Sequence, residues 1–92
     1  MEFEWDEEKD RENIRKHDVR FETAKLVFDD PLAMNARDES NEWDEERWAT
    51  IGTAGRGSVF FVAYTWRDEQ TIRMISARTA TKRERRIYEE AD

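Results

Sequence analysis

The 92-residue chain contains no cysteine, one proline and three glycines. Without cysteine, disulfide bridges and thiolate-ligated metal sites are excluded. No apolar run approaches the roughly 20 residues that span a bilayer, and no signal-peptide pattern precedes the charged start. These absences predict a soluble cytoplasmic protein.

Charged residues make up 42% of the chain and apolar residues 37%, a balance close to that of disordered proteins. The four tryptophans, five phenylalanines and two tyrosines argue for a folded core instead, because aromatic side chains bury large areas. The length suits one domain with a modest core, and we expect that domain to span residues 1–92.

The charges are unevenly distributed. The formal net charge is −7, which by itself counts against a nucleic-acid partner. Residues 1–48 carry 17 acidic and 8 basic side chains, whereas residues 49–92 carry 6 acidic and 8 basic ones. Within 73–86, six basic residues accompany Glu84 alone. The chain is therefore acidic with one basic region, and the basic region is where an anionic partner is expected.

The strongest pattern lies in two segments of this C-terminal half. Residues 58–66 are apolar on both alternating sets, which is typical of a strand covered on both faces and central in its sheet. Residues 71–77 follow after only 67–70, a gap that suits an antiparallel hairpin. This second strand and its end carry two charged side chains, Arg73 and Arg78, which are unusual in a strand that is otherwise predicted to be buried.

The remaining elements are predicted from helix-capping residues, apolar stripes and helix-breaking residues. Residues 1–4 can be extended, and Asp6 is the predicted N-cap of a helix that ends at Asp18. An apolar stripe predicts a second helix over 21–28, which Asp29-Asp30-Pro31 ends. Strands are predicted over 32–37 and 46–53, a turn over 52–57, and a last helix that opens with a Thr81–Glu84 capping box and runs to about Glu90. The prediction is an α+β domain: a four-stranded, mainly antiparallel sheet with two N-terminal helices and one C-terminal helix.

Several motifs follow one another along almost the whole chain: Trp5-Asp6-x-x-Lys9, Asn13-x-x-Lys16-His17-x-Val19-x-Phe21-Glu22-x-Ala24, Val27-Phe28-x-Asp30, Glu46-Arg47-x-x-x-Ile51-Gly52, and Ile72-Arg73-x-Ile75-Ser76-Ala77-Arg78-x-Ala80-x-x-Glu84-Arg85-x-x-Tyr88. In these motifs the chain resembles the BrnT toxin family, the ribonuclease partners of type II toxin–antitoxin pairs. The resemblance implies a RelE-like fold, cleavage of RNA without a metal or other cofactor, and neutralisation by an antitoxin with a ribbon-helix-helix DNA-binding part. Asp18 stands where the family usually has glycine.

Metal-free RNA cleavage needs groups that stabilise phosphate charge and move two protons. Arg73 and Arg78 are the first candidates for the phosphate, because guanidinium groups make bidentate contacts and stay charged; the alternative is structural ion pairing with the acidic half. His17 is a candidate general acid or base, or else a helix cap. Further candidates for RNA contact are Lys9, Arg47, Lys82, Arg83, Arg85, Arg86 and Tyr88.

Three alternatives stay open at this stage. Tyr88 can protonate a leaving group or simply anchor the last helix. Trp43, in the acidic segment 38–45, can stack on a base or lie in a protein interface. For the whole chain, the alternative to a nuclease is a non-catalytic module that assembles a transcriptional repressor with its antitoxin.

Overall fold

A computed structural model describes residues 1–38, 46–55 and 57–91. Its elements in chain order are β1 (Glu2–Glu4), α1 (Glu7–His17), α2 (Phe21–Ala24), a 3-10 helix (Lys25–Asp29), β2 (Met34–Arg37), β3 (Trp48–Thr53), β4 (Val59–Trp66), β5 (Thr71–Thr79) and α3 (Lys82–Glu90). Most of the acidic segment 38–45, including Trp43, lies outside the described residues.

Within the described residues the strands form one mixed sheet in the order β1-β5-β4-β3-β2. The prediction of four strands was wrong, because the N-terminal residues pair in parallel with β5, Phe3 lying beside Ile72. The other three pairings are antiparallel, as predicted. The central position predicted for residues 58–66 is confirmed, since β4 lies third of five.

The core lies between one face of this sheet and the N-terminal helices. It contains Phe21, Ala24 and Val27, all fully buried, against residues of β4 and β5 such as Val62 and Ile72. The predicted second helix divides at Ala24 into one α-helical turn and the 3-10 helix. At three residues per turn the 3-10 helix keeps Ala24 and Val27 on the same side, so the core spacing of three survives the tightening.

Strand β1 pairs only with the first three residues of β5. Helix α1 lies beside the rest of that edge. The Asp6 cap is confirmed, since its Oδ1 accepts the backbone N–H of Glu8 at 2.7 Å, and Asp18 ends the helix in the left-handed region at φ 57°. Asn13 is the buried residue of this helix. Its amide nitrogen donates to the carbonyls of Val19 and Ala77 at 2.9 and 2.8 Å, and its oxygen accepts the N–H of Ala77 at 3.1 Å. Asn13 therefore satisfies the sheet edge where no strand does.

Gly52, in β3, allows a close approach to the segment that follows the 3-10 helix. A Cβ on Gly52 would lie 3.1 Å from the Cβ of Ala33 and 3.2 Å from an oxygen of Asp30. Asp30 links the two segments, because its carboxylate accepts the N–H groups of Thr53 and Leu32, each at 2.9 Å. No described helix is long and apolar enough to cross a membrane.

Candidate functional site

A bulge in β5 decides which face its arginines occupy. Strict alternation would place residues 73 and 78, five apart, on opposite faces of a strand. The pairing with β4 instead jumps from Ala63–Ser76 to Tyr64–Met74 and leaves Ile75 unpaired. Arg73 therefore lies opposite Thr65, and Arg78 lies opposite Phe61. Phe61, Ala63 and Thr65 share one face of β4, so both arginines lie on that face, which we call the arginine face.

Arg78 is held from two sides. Its Nη1 and Nη2 donate to Oε1 and Oε2 of Glu84 at 2.7 and 2.9 Å, and its guanidinium carbon lies 4.2 Å from the ring centroid of Phe61. These hydrogen bonds raise the pKa of Arg78 and lower the pKa of Glu84. The side chain is still 34% exposed. Arg78 is thus a fixed cation with an accessible edge.

Glu84 is itself fixed by the predicted capping box, which is confirmed. Its Oε1 accepts the N–H of Thr81 at 2.8 Å, and the Thr81 hydroxyl accepts the N–H of Glu84 at 3.1 Å. The start of α3 therefore determines where the Arg78 guanidinium points. A general-base role for Glu84 is disfavoured by this arrangement, because both of its oxygens are already engaged.

Arg73 is held by the N-terminal strand. Its Nη1 donates to Oε2 of Glu4 at 2.8 Å, and Arg67 donates to both oxygens of the same carboxylate at 2.8 and 2.9 Å. Arg67 first, and then Arg73, lower the pKa of Glu4 against the opposing effect of desolvation. The side chain of Arg73 is 43% exposed. The alternative expected from sequence, ion pairing with the acidic half, thus applies to Arg73 without sealing it from solvent.

Arg47 directly precedes β3 and follows Glu46, whose carbonyl binds Thr65 of the arginine face. It precedes Ala49 by two residues, and Ala49 lies opposite Ala63 of this face. Its Nε is buried without a hydrogen-bond partner among the described residues. The carbonyl of its neighbour Glu46 accepts the Thr65 hydroxyl at 2.7 Å, which fixes this end of β3 against β4.

His17 and Lys9 both lie on α1, beside the arginine face rather than on it. They line a cleft of about 180 Å³ between α1 and the bulge of β5, together with Lys16 and Ser76. Ser76 lies opposite Ala63 and so belongs to the arginine face. The cleft therefore borders the arginine face at its middle, between Arg73 and Arg78.

The basic cluster of α3 is a solvent-facing surface. Arg85 pairs with Glu89 at 3.1 Å. Lys82, Arg83 and Arg86 are exposed and form no ion pair within the described ranges. These residues are accessible to an anionic partner, and the contacts do not bring them into the arginine face.

Tyr88 is placed as an anchor. Its hydroxyl donates to Oδ2 of Asp30, and this bond raises the pKa of Tyr88 to about 12. Burial raises the pKa of Asp30, but hydrogen bonds from Tyr88, Thr53 and Leu32 outweigh it and lower that pKa. The geometry favours the anchoring alternative for Tyr88. Its contact with RNA stays a prediction.

Sequence reasoning missed the partners of these residues. Glu4, Arg67 and Phe61 were not candidates, although they hold Arg73 and Arg78. Glu4 lies 63 positions from Arg67 and 69 from Arg73, so no local spacing could have indicated that it pairs with these two arginines. Among the described residues, no group of three or more His, Asp or Glu is arranged to hold a metal ion.

Comparisons with known proteins found a matching family and a similar solved structure. The family model described as "Ribonuclease toxin, BrnT, of type II toxin-antitoxin system" matches residues 5–84. The crystal structure of the Brucella abortus ribonuclease toxin BrnT superposes with a TM-score of 0.70 at 23% identity, covering 89% of this chain and 99% of that one. A search of curated proteins gave no match. Because the family model spans most of the chain, the protein belongs to the BrnT family of type II toxin–antitoxin systems, a family of ribonuclease toxins that implies a cognate antitoxin.

Proposed function

We propose that the protein is a metal-independent endoribonuclease that inhibits translation and growth in the cytoplasm. The observation that supports this most is the bulge of β5, which brings Arg73 and Arg78 to one sheet face. Two guanidinium groups on one face form a surface suited to a phosphodiester backbone, since the guanidinium group keeps its charge at any working pH. Arg47, which directly precedes β3, is proposed to contact RNA beside them.

The proposed reaction is an internal transfer at phosphorus. The 2′-oxygen of a ribose attacks the adjacent phosphorus, and the bond from phosphorus to the 5′-oxygen breaks. A base accepts the 2′-hydroxyl proton and an acid protonates the departing 5′-oxygen, which leaves a 2′,3′-cyclic phosphate and a 5′-hydroxyl. Arg78 stabilises the added charge on the phosphoryl oxygens.

His17 is the candidate for one of the proton transfers, because an imidazole can both accept and donate a proton and because this residue lines the cleft beside Ser76. Lys9 lines the same cleft and is proposed to contact RNA phosphate. The exposed cations Lys82, Arg83, Arg85 and Arg86 are proposed to attract the RNA backbone, as a basic helix surface does.

The test is cleavage of RNA in the presence of EDTA by the wild type and by Arg78→Ala. We expect the wild type to cleave under chelation and to yield cyclic phosphate ends. We expect Arg78→Ala to lose roughly 100-fold or more of the rate, the usual cost of removing one oxyanion donor. Arg11→Ala, an exposed change on α1, is the matched control and should retain the wild-type rate. Cleavage that stops on chelation, or that survives in Arg78→Ala, contradicts the proposal.

The second candidate is a non-catalytic module that assembles a repressor with an antitoxin of ribbon-helix-helix type. It is favoured by the ion pairs of Arg73 and Arg78 with Glu4 and Glu84 and by the net charge of −7. A folded wild type that cleaves no RNA but binds its antitoxin, and tightens binding of that antitoxin to operator DNA, would favour this candidate.

A further inference from the structure

We propose that Arg67 and Arg73 form an anion site in which Glu4 holds the place of an RNA phosphate. This inference rests on the proposed function and adds to it a second phosphate contact, away from the scissile bond. It also assigns a role to Arg67, a residue of the β4–β5 hairpin that none of the motifs includes.

The site consists of two cations on one carboxylate. Arg67 reaches both oxygens of Glu4 at 2.8 and 2.9 Å, and Arg73 reaches one of them at 2.8 Å. Two positive charges face one negative charge, so these three side chains together carry a net charge of +1. After a hydrogen bond from the Gln70 backbone, the charge of Arg67 also contributes to the lowered pKa of Asp68, so a second carboxylate already meets part of the attraction of Arg67 for an anion.

A phosphodiester can take the place of the carboxylate. It presents two non-bridging oxygens and one negative charge, the same complement that Glu4 presents to the two guanidinium groups. Exchange therefore keeps both arginines paired. The exposure of the side chains permits it, since Arg67 is 63% exposed, Arg73 43% and Glu4 26%.

The position suits a flanking nucleotide. Glu4 lies beside Arg73 in the parallel β1–β5 pairing, on the arginine face. Arg78 and Arg73 lie opposite Phe61 and Thr65, which are four residues apart on β4, and this corresponds to roughly 13 Å along a strand. A single RNA strand that follows β5 would place its scissile phosphate near Arg78 and a flanking phosphate on Arg67 and Arg73.

The test is binding of a single-stranded RNA in which every ribose is 2′-O-methylated, so that cleavage cannot occur. Fluorescence anisotropy at several salt concentrations gives both the Kd and its salt dependence. We expect Arg67→Gln to weaken binding about 5-fold to 10-fold and to reduce the slope of log K against log salt by about 0.7, the value for one lost contact with a single strand. Arg11→Gln removes the same charge from α1 and should leave the slope unchanged.

Glu4→Gln provides the opposite change. It frees both guanidinium groups, so we expect binding to tighten about 3-fold or more. Glu69→Gln removes the same charge from the exposed hairpin and should change the Kd less than about 2-fold. Equal effects of Glu4→Gln and Glu69→Gln, or an unchanged salt slope in Arg67→Gln, would overturn the proposal. If Glu4→Gln does not fold, Arg67→Gln decides alone.

The two proposals fail separately. A wild type that cleaves RNA while Arg67→Gln binds the methylated RNA normally overturns only the flanking site. A wild type that does not cleave, but whose binding responds to Arg67→Gln and Glu4→Gln as expected, overturns only the nuclease proposal.

Discussion

The two arginines of β5 lie on one sheet face but are held in different ways. Arg78 is bound through both nitrogens to Glu84, six residues later, and stacks on Phe61 across the strand pair. Arg73 makes one hydrogen bond to Glu4, at the opposite end of the chain, and shares that carboxylate with Arg67. The first arrangement fixes the orientation of a guanidinium, whereas the second leaves room for exchange. We therefore propose that Arg78 stabilises charge at the reacting phosphate and that Arg73 contributes to binding.

The sharpest way to break this comparison is to replace each arginine by lysine. Lysine keeps the charge but loses the planar, bidentate group. We expect Arg78→Lys to lower the cleavage rate about 100-fold and Arg73→Lys to lower it less than about 10-fold, with the loss mostly in KM. Cleavage kinetics on one RNA substrate measure both. Equal losses in kcat for the two variants would contradict the assignment.

The far end of α3 tests whether the helix that holds Arg78 is anchored as described. Tyr88→Phe removes the hydrogen bond to the carboxylate of Asp30 and should lower the free energy of unfolding by about 1–2 kcal/mol. Tyr64→Phe is the matched control, because its hydroxyl donates to the neutral Asn35 at 3.1 Å and should cost less, about 0.5–1 kcal/mol. Urea unfolding measures both, and the reverse order of the two costs would argue against the anchor.

The pH dependence of stability tests the ion pair between Glu84 and Arg78. The folded-state pKa of Glu84 lies below its ordinary value of 4.5, so its pairing with Arg78 stabilises the fold above that pH and is lost as the pH falls through the lowered value. Glu84→Gln keeps the capping box, which accepts glutamine, but removes the charge.

We therefore expect Glu84→Gln to cost about 1 kcal/mol at pH 7 and to approach the wild-type stability at acidic pH. Unfolding titrations at a series of pH values provide the measurement. A cost that is the same at pH 7 and at acidic pH would mean that the Glu84 charge contributes nothing.

The smallest effect is expected far from both arginines. Asp18 ends α1 with φ 57°, a region that glycine occupies without strain. Asp18→Gly should raise the free energy of unfolding by about 0.5–1 kcal/mol and leave cleavage unchanged. Thermal unfolding and the cleavage assay together check this. A loss of activity in this variant would extend the functional surface to the end of α1.

The sequence predicted the elements whose signals are local. The hairpin of β4 and β5, the Asp6 cap, the end of α1 at Asp18 and the Thr81–Glu84 box all follow from residues a few positions apart. Residues 1–4 were expected to be extended, but their pairing with β5 was not predicted, because three residues with glutamates on both sides of Phe3 show no pattern of a sheet strand. The 3-10 helix was not predicted, because an apolar spacing of three residues fits both helix types.

The arrangement of the site was less accessible from sequence. Arg73 and Arg78 were identified as candidates, but their common face depends on the bulge at Ile75, which only the pairing with β4 reveals. Glu4 is brought to Arg73 by the sheet order, which places the N-terminal strand beside β5, whereas Arg67 lies in the hairpin between β4 and β5. The arrangement of the site depends on pairing between distant parts of the chain, which residue type and local spacing do not indicate.

The most direct test of the arginine face is NMR of the guanidinium Nε–H signals during titration with the 2′-O-methylated RNA. If RNA phosphates bind this face, the signals of Arg73 and Arg78 shift together and saturate at the same RNA concentration, while that of Arg11 on α1 does not move. Shifts confined to Arg83, Arg85 and Arg86 of α3, with Arg73 and Arg78 unchanged, would contradict the account.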